Sequence, residues 1–218
     1  MRSILIGSIL ILAGCSRELP PGSRNNFRPY GIQHATLHFE YYGDVRGTED
    51  LFIDSFGSVE AHIIHSEAAT EQGFRPTYRD IIRSAGELTI VDSVRHVEVK
   101  MIDRTMDSLY RLESSVPTAE EAFANNFKAR GYQLSGDTTV LGLRAHVWER
   151  MGTNESVLEW RGIAIGNAEE FPGHLQELRL TSIDTVSPVP AGRFVPPPGF
   201  PVRDLTKANS SAPPPMAP

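Results

Sequence analysis

The segment His34-Ala-Thr-Leu-His-Phe-Glu-Tyr41 indicates the fold class of this chain. Its apolar residues occupy every second position, from Ala35 through Leu37 and Phe39 to Tyr41. Side chains on a β-strand point alternately to its two faces, so this spacing predicts a strand with one buried face. The pair Gly43-Asp44, which favours a turn, ends the pattern.

Similar segments follow along the rest of the chain. We predict strands over residues 48–56, 58–67, 87–92, 96–102, 132–140, 143–150, 157–165 and 175–184, separated by turn-forming residues. Residues 75–84 have a weaker pattern, for which we expect a short helix or an irregular excursion. The prolines after Phe194 predict an extended final segment that reaches Val202.

One helix is predicted between these two groups of strands. Thr118 is a suitable N-cap, and Glu121 stands three residues later, at the second position of a capping box. Apolar residues then recur at helical spacing, and Gly131 ends the helix. Strands on both sides of a single helix favour an α+β fold, in which helix covers one face of an antiparallel sheet.

The N-terminal residues 1–14 have the features of a secretory signal. A basic start is followed by a short apolar run, Ile4 to Leu12, which is too short to span a bilayer. The sequence Leu12-Ala13-Gly14-Cys15 resembles the bacterial lipobox, and this resemblance implies that Cys15 is lipidated and becomes the mature N-terminus. The alternative is an ordinary secreted protein in which Cys15 lies near the cleavage site by chance. Because Ser16 rather than Asp follows the cysteine, we expect an outer-membrane protein that faces the periplasm.

The remaining chain is divided by composition into three parts. Residues 15–33 are rich in Pro, Gly and Asn and are predicted to be a flexible tether. Residues 34–205 form a single α+β domain, and residues 206–218 are an Ala/Ser/Pro tail that is expected to be disordered. The formal net charge of −6 makes nucleic acid an unfavourable partner.

Several segments resemble the periplasmic lipoprotein carriers of the LolA/LolB-like superfamily. They are the hairpin over residues 88–103, the Gly-containing hairpin over residues 140–148, the strand Trp160-Arg-Gly-Ile-Ala-Ile165 and the closing segment over residues 183–200. The resemblance implies a curved, incompletely closed antiparallel sheet with one or two helices packed on its concave face. Some members carry lipids or lipoproteins in an apolar hollow. No ligand-binding residue of the superfamily maps onto this chain by motif.

The apolar residues of the predicted strands have two interpretations. They fill a closed core, or some of them line a cavity for an acyl chain. The candidates for the lining are Leu37, Phe39, Tyr41, Phe52, Trp148 and Trp160. Both interpretations need the same residues, so the sequence leaves them open.

Metal binding and catalysis have weaker support. His34, His38 and Glu40 share one strand face. His62 and His65 are three positions apart on a neighbouring strand and should point to opposite faces. We therefore expect a solvated polar face rather than a zinc site. The chain has no Gly-x-Ser-x-Gly elbow and no phosphate-binding glycine loop. We therefore expect no cofactor and a non-enzyme that binds or transfers an apolar ligand or supports envelope maintenance. The alternatives are an assembly module that binds an envelope protein, and a hydrolase whose site is assembled only in the fold.

Overall fold

The computed structural model describes residues 28–70, 73–84, 86–103, 118–171 and 174–206. Within these residues the chain forms twelve strands, one α-helix and two short 3-10 turns. The strands of the first half are β1 (Ala35–Gly43), β2 (Val45–Asp54), β3 (Val59–Thr70), β4 (Gly73–Ser84), β5 (Glu87–Asp92) and β6 (Val97–Ile102). The helix α1 (Ala119–Ala129) precedes β7 (Tyr132–Val140), β8 (Leu143–Arg150), β9 (Asn154–Trp160), β10 (Ile163–Phe171), β11 (His174–Asp184) and β12 (Val202–Asp204).

All twelve strands belong to one sheet, in the order β12-β6-β5-β4-β3-β2-β1-β11-β10-β9-β8-β7. Neighbouring strands are antiparallel except for β12, which runs parallel to β6. Strands β1 and β11 join the two halves, and the sheet does not close, because β12 and β7 end it. The prediction of an α+β fold with a curved, incompletely closed antiparallel sheet is confirmed. Among the described residues, no helix is both long and apolar enough to cross a bilayer.

The prediction for residues 75–84 is wrong. This segment is neither a helix nor an irregular excursion, but most of β4, which pairs with β3 along its whole length. The adjacent Ile81 and Ile82 hide the alternation because each faces a different side. Ile82 packs in a cluster with Phe52 and Ala61, whereas Ile81 lies opposite His62 in the register.

The single strand predicted over residues 157–165 is also wrong. The chain reverses at Arg161-Gly162, so that Ile163 of β10 pairs with Trp160 of β9. Both turn residues have positive φ, 52° for Arg161 and 83° for Gly162, as a two-residue type I′ hairpin turn requires. The buried Glu159 carboxylate accepts a hydrogen bond from the Gly162 N–H at 2.5 Å, and this contact stabilises the turn.

The folded part begins earlier than His34, within the predicted tether. The Tyr30 N–H donates to the Phe56 carbonyl at 3.0 Å, and the Gly31 N–H donates to the Arg161 carbonyl at 2.9 Å. The Tyr30 ring lies so close to Gly57 that a Cβ there would be 2.3 Å from Tyr30 Cδ2. Residues 30 and 31 are therefore fixed to the rim that carries the β2–β3 and β9–β10 turns.

The core consists of three clusters. The main one contains the buried faces of β1, β2, β10 and β11, including Leu37, Ile53 and Ile165. The second joins Phe127 of α1 to Tyr132, Trp148 and Val157, and the third joins Phe52, Ala61 and Ile82. The predicted helix start is confirmed, since Thr118 Oγ1 accepts a hydrogen bond from the Glu121 N–H at 3.1 Å.

Candidate functional site

An apolar cleft of about 310 Å³ lies where β9, β10 and β11 meet the end of β7. Its volume is at the lower end of the range for small-molecule sites. The apolar lining consists of Val140, Leu158, Ile165, Leu178 and Leu180. The other lining residues are Ser156, Gly166, Asn167, Ala168, Glu177 and Arg179. An apolar wall with a few polar groups is the usual composition of a site for an amphipathic ligand.

Two irregularities of the sheet accompany the cleft. The β9–β10 register shifts between Ala164 and Gly166, and the β1–β11 register shifts between His38 and Phe39. Such bulges bend a strand and increase its local twist. Gly166 also has no side chain to occupy the space: a Cβ there would lie 3.4 Å from Leu158 Cδ1 and 3.2 Å from the Leu178 carbonyl oxygen.

A charged pair stands beside the apolar wall. Arg179 makes two parallel contacts of 2.5 Å to the Glu177 carboxylate, and its guanidinium lies 4.6 Å from the centre of the Tyr42 ring. These contacts fix the arginine in one direction and still leave some of its five N–H donors for another group. Leu158, Gly166 and Arg179 lie in one cross-strand row, so an apolar side chain and a cation share this face of the sheet.

A buried ionic network occupies the neighbouring part of the sheet, on β2, β3 and β4. His62 Nδ1 contacts Glu49 Oε1 at 2.6 Å, and its Nε2 lies 3.4 Å from Glu60 Oε1. Arg83 forms an ion pair with Glu60 and a second one with Asp103 at 2.9 Å. Five charged groups thus join three adjacent strands and the end of β6 to one another.

Two tyrosines complete this network. The Tyr30 hydroxyl donates to Glu60 at 2.6 Å, and the Tyr41 hydroxyl donates to Glu49. Burial raises the pKa of both hydroxyl groups, and the adjacent carboxylates raise it further. Both tyrosines therefore remain protonated donors, and each carboxylate that they contact is already occupied by partners.

The two central groups of the network are held in their charged forms. Burial opposes the charge of His62, but its hydrogen bonds to Glu49 and Glu60 raise its pKa to about 9. Burial likewise opposes the charge of Glu60, whose side chain is only 2% exposed, yet His62 and Arg83 lower its pKa to about 2. Each charged group of the network has at least one partner of opposite sign. The network therefore cross-links the sheet and offers no unpaired base or nucleophile.

Four members of this network were not predicted from the sequence: Glu49, Glu60, Arg83 and Asp103. A usable signal exists in the strand alternation: Glu49 shares its strand parity with Leu51 and Ile53, which are core residues. A carboxylate at a core-facing position needs a buried partner. Which residue becomes this partner depends on the register between neighbouring strands, and the register cannot be read from the sequence of one strand.

The histidines considered as zinc ligands lie apart. His38 pairs with Asp50 at 2.5 Å, His34 Nε2 lies 3.3 Å from the Val186 carbonyl oxygen, and His65 contacts Tyr78 edge-on. His62 and His65 occupy opposite faces of the regular strand β3, as the spacing predicted. Across the described ranges, no group of three or more His, Cys, Asp or Glu side chains is arranged to hold a metal ion.

The six residues proposed for a cavity lining are distributed over different environments. Leu37 and Phe39 belong to the main core cluster, against which Trp160 packs. Trp148 lies in the helix cluster, Phe52 lies in the third cluster, and Tyr41 contacts Glu49. None of the six lines the apolar cleft, and their role around a ligand stays a prediction. Cys15 lies outside the described residues.

Comparisons with known proteins identify no family for this chain. No protein-family model and no curated protein matches it. Among solved structures, an uncharacterized conserved protein from Thermus thermophilus is similar over 79% of this chain and 90% of its own, with 7% identity and a TM-score of 0.47.

Two further solved structures are similar over part of their own length. MucB matches 76% of this chain with 13% identity and a TM-score of 0.44, and PNGF-II matches 82% with 8% identity and a TM-score of 0.45. The chain spans 58% of the MucB chain and 33% of the PNGF-II chain. These likenesses are too distant for a function to be inferred from them.

Proposed function

We propose that this chain is a non-catalytic lipoprotein of the cell envelope that binds the acyl chain of a lipid or lipoprotein in the cleft between β9, β10 and β11. The observation that carries the proposal is the apolar wall of that cleft, to which Val140, Leu158 and Leu178 contribute partly exposed side chains. Each methylene group that leaves water contributes roughly 0.8 kcal/mol to binding. A short part of an acyl chain is therefore sufficient for measurable affinity.

The charged pair beside the cleft supports an amphipathic ligand rather than a pure hydrocarbon. With an acyl chain against Leu158, which lies in the same cross-strand row as Arg179, a carboxylate or phosphate at its end would meet the remaining donors of Arg179. The proposed binding needs no proton transfer and no nucleophile. This fits the buried network, in which His62 and the carboxylates are already paired.

The proposed location follows from the sequence. The apolar leader and the Leu12-Ala13-Gly14-Cys15 motif support lipidation of Cys15 and retention at a membrane, for which we propose the outer membrane and its periplasmic side. The acidic net charge supports the absence of a nucleic-acid partner. A LolA/LolB-like role in carrying lipids or lipoproteins remains part of this proposal.

A variant that fills the cleft tests the proposal. Ala168→Phe places an aromatic ring in the lining, whereas Ala164→Phe, on the same strand, adds the same ring at an exposed position outside the cleft. Both are made in a full-length Cys15→Ala background, so that no covalent lipid interferes. Binding of palmitate is measured by native mass spectrometry, with circular dichroism as a check on folding.

We expect Ala168→Phe to weaken palmitate binding at least tenfold and Ala164→Phe to leave it within twofold of the parent. Equal binding by all three folded proteins would show that palmitate lies elsewhere. The proposal is wrong if the parent binds no palmitate at any concentration below the critical micelle concentration of palmitate.

A second candidate function has one observation in its favour. In the part of the chain that the structure describes, β7 pairs with β8 only, so the outer edge of this nine-residue strand is unpaired. Such an edge accepts an added strand from another protein. The Thr139 N–H points to this outer edge, because Thr139 and Arg144 form a non-hydrogen-bonded pair next to the β7–β8 turn. If a defined envelope protein co-purifies with the parent and is lost in Thr139→Pro while palmitate binding is unchanged, the chain is an assembly module.

A further inference from the structure

A second cleft, of about 270 Å³, lies on β3 and β4 beside the β5–β6 turn and differs from the first in its charge. We call it the arginine cleft. Its lining consists of Ala68, Arg75, Pro76, Thr77, Arg79, Asp92, Val94 and Arg95. Three arginines and one aspartate thus line the cleft, which has an excess of two positive charges.

The single carboxylate cannot neutralise all three arginines. Asp92 Oδ2 lies 3.4 Å from Arg79 Nε and 3.9 Å from Arg95 Nε. Its other oxygen accepts the Arg95 backbone N–H at 2.9 Å. Arg75 forms no ion pair with any residue in the described ranges. The Asp92 side chain is also more buried than those of Arg79 and Arg95, so the guanidinium groups are the charges that a ligand meets.

An apolar side chain is exposed next to these cations. Val94, which lines the cleft, lies in the β5–β6 turn and is 50% exposed. This turn stands beside the middle of β4, because Asp92 pairs with Arg79. The cleft extends from there to Arg75, which pairs with Ala68 of β3.

Some of the other charges at the end of the sheet that carries the β3–β4 turn are paired or face away. Asp44 pairs with His174 at 2.9 Å, and Arg150 pairs with Glu155 at 3.0 Å. Glu67 lies opposite Pro76 in the register, so it shares the strand face that Arg75 does not occupy. The arginine cleft is therefore a local cationic site on a protein whose net charge is −6.

We propose that the arginine cleft binds the phosphate of an anionic phospholipid and places this part of the sheet against a membrane surface. Guanidinium groups bind phosphate through two parallel hydrogen bonds. An exposed valine beside basic residues suits the boundary between lipid headgroups and acyl chains. The acidic remainder of the surface is repelled by an anionic membrane, so the cleft fixes the orientation of the protein on it. This inference does not depend on the apolar cleft or on lipidation of Cys15.

The test uses the full-length Cys15→Ala chain and vesicles with and without phosphatidylglycerol. Cosedimentation is measured with vesicles of pure phosphatidylcholine, and with vesicles that contain 30 mol% phosphatidylglycerol, at low and at physiological salt. The test variant is Arg75→Gln/Arg95→Gln. The control, Arg144→Gln/Arg161→Gln, removes the same charge from the β7–β8 and β9–β10 hairpins.

We expect the parent and the control to bind phosphatidylglycerol vesicles within threefold of each other. The test variant should bind about 30-fold more weakly, since each basic residue near an anionic surface contributes roughly fivefold. Binding should also fall with added salt. Pure phosphatidylcholine vesicles measure any contribution of the apolar leader, which is common to all variants.

Three results would overturn the proposal. Equal losses in the test variant and the control would mean that net charge, not this cleft, determines binding. Absence of phosphatidylglycerol-dependent binding in the parent would exclude the membrane as the ligand. If glycerol 1-phosphate, titrated by calorimetry, binds the parent as tightly as the vesicles do, the site takes a free phosphate compound instead.

Discussion

Raising the pH should weaken the fold through His62. The pKa of this imidazole is raised from 6.5 to about 9, despite burial, by its contacts with Glu49 and Glu60. Between these two values the native protein holds one proton more than the unfolded chain. The free energy of unfolding therefore falls as the pH rises, by up to about 1.4 kcal/mol per pH unit. The stabilisation is fully present below pH 6.5 and is lost once the pH passes 9.

The size of this effect follows from the same two values. A difference of about 2.5 pKa units, at 1.36 kcal/mol per unit, corresponds to about 3 kcal/mol. The His62 side chain is 23% exposed, and water screens part of the interaction. We therefore expect a total loss of about 2–3 kcal/mol between pH 6 and pH 9.5.

Urea unfolding at half-unit pH steps measures this loss. The parent is compared with His62→Gln, which cannot carry the proton, and with His38→Gln, which removes an exposed ion pair of the same sheet. We expect the slope to disappear in His62→Gln and to persist in His38→Gln. An unchanged slope in His62→Gln would refute the reasoning, because another group would then bind the extra proton.

Four further predictions concern stability and use the same unfolding assay. The pKa of Glu60 is lowered to about 2, so its charge stabilises the fold above pH 4.5 and this effect is lost as the pH falls. Glu60→Gln should therefore make the free energy of unfolding decline less steeply in acid. At pH 7 the same substitution should destabilise the protein by about 3–5 kcal/mol. Phe127→Ala should cost about 3–5 kcal/mol, because it removes a buried ring that contacts Tyr132 and Trp148. Thr118→Ala should cost about 1 kcal/mol through loss of the helix N-cap. Gly47→Ala should cost about 2–4 kcal/mol, since Gly47 has a φ of +141° and a Cβ would lie 2.1 Å from the His65 carbonyl oxygen.

Each of these has a clear contrary result. An acid decline in Glu60→Gln as steep as in the parent would assign the effect to other carboxylates. Losses below about 1 kcal/mol for Phe127→Ala or Gly47→Ala would mean that the packing around α1, or the approach of β2 to β3, is looser than described. A loss above about 2 kcal/mol for Thr118→Ala would exceed what one cap supplies.

The fold was largely predictable because its signals are local. The alternation from Ala35 to Tyr41 and the cap at Thr118 each depend on a few neighbouring residues, and β1 and α1 follow from them. The two errors occurred where local signals conflict with tertiary pairing. Ile81 and Ile82 are adjacent and face opposite sides of the sheet, and Arg161 adopts a positive φ that favours glycine or asparagine.

The candidate sites were less predictable because they are formed between strands. The apolar cleft depends on the bulge near Gly166, and a bulge has no reliable sequence signature of its own. The arginine cleft brings Arg75 and Arg79 of β4 next to Arg95 of the β5–β6 turn. In the ionic network, Glu60 of β3 meets Arg83 because the two residues are paired in the β3–β4 register. Sequence spacing alone does not bring such residues together.

Photocrosslinking tests the central claim, acyl-chain binding between β9, β10 and β11, most directly. Cells that produce the full-length Cys15→Ala chain are supplied with a fatty acid that carries a diazirine in its acyl chain, then irradiated, and the adducts are located by mass spectrometry. We predict adducts on the peptides that contain Leu158, Ile165 and Leu178, and their loss in Ala168→Phe. Adducts confined to other peptides, or unchanged in Ala168→Phe, would contradict the account.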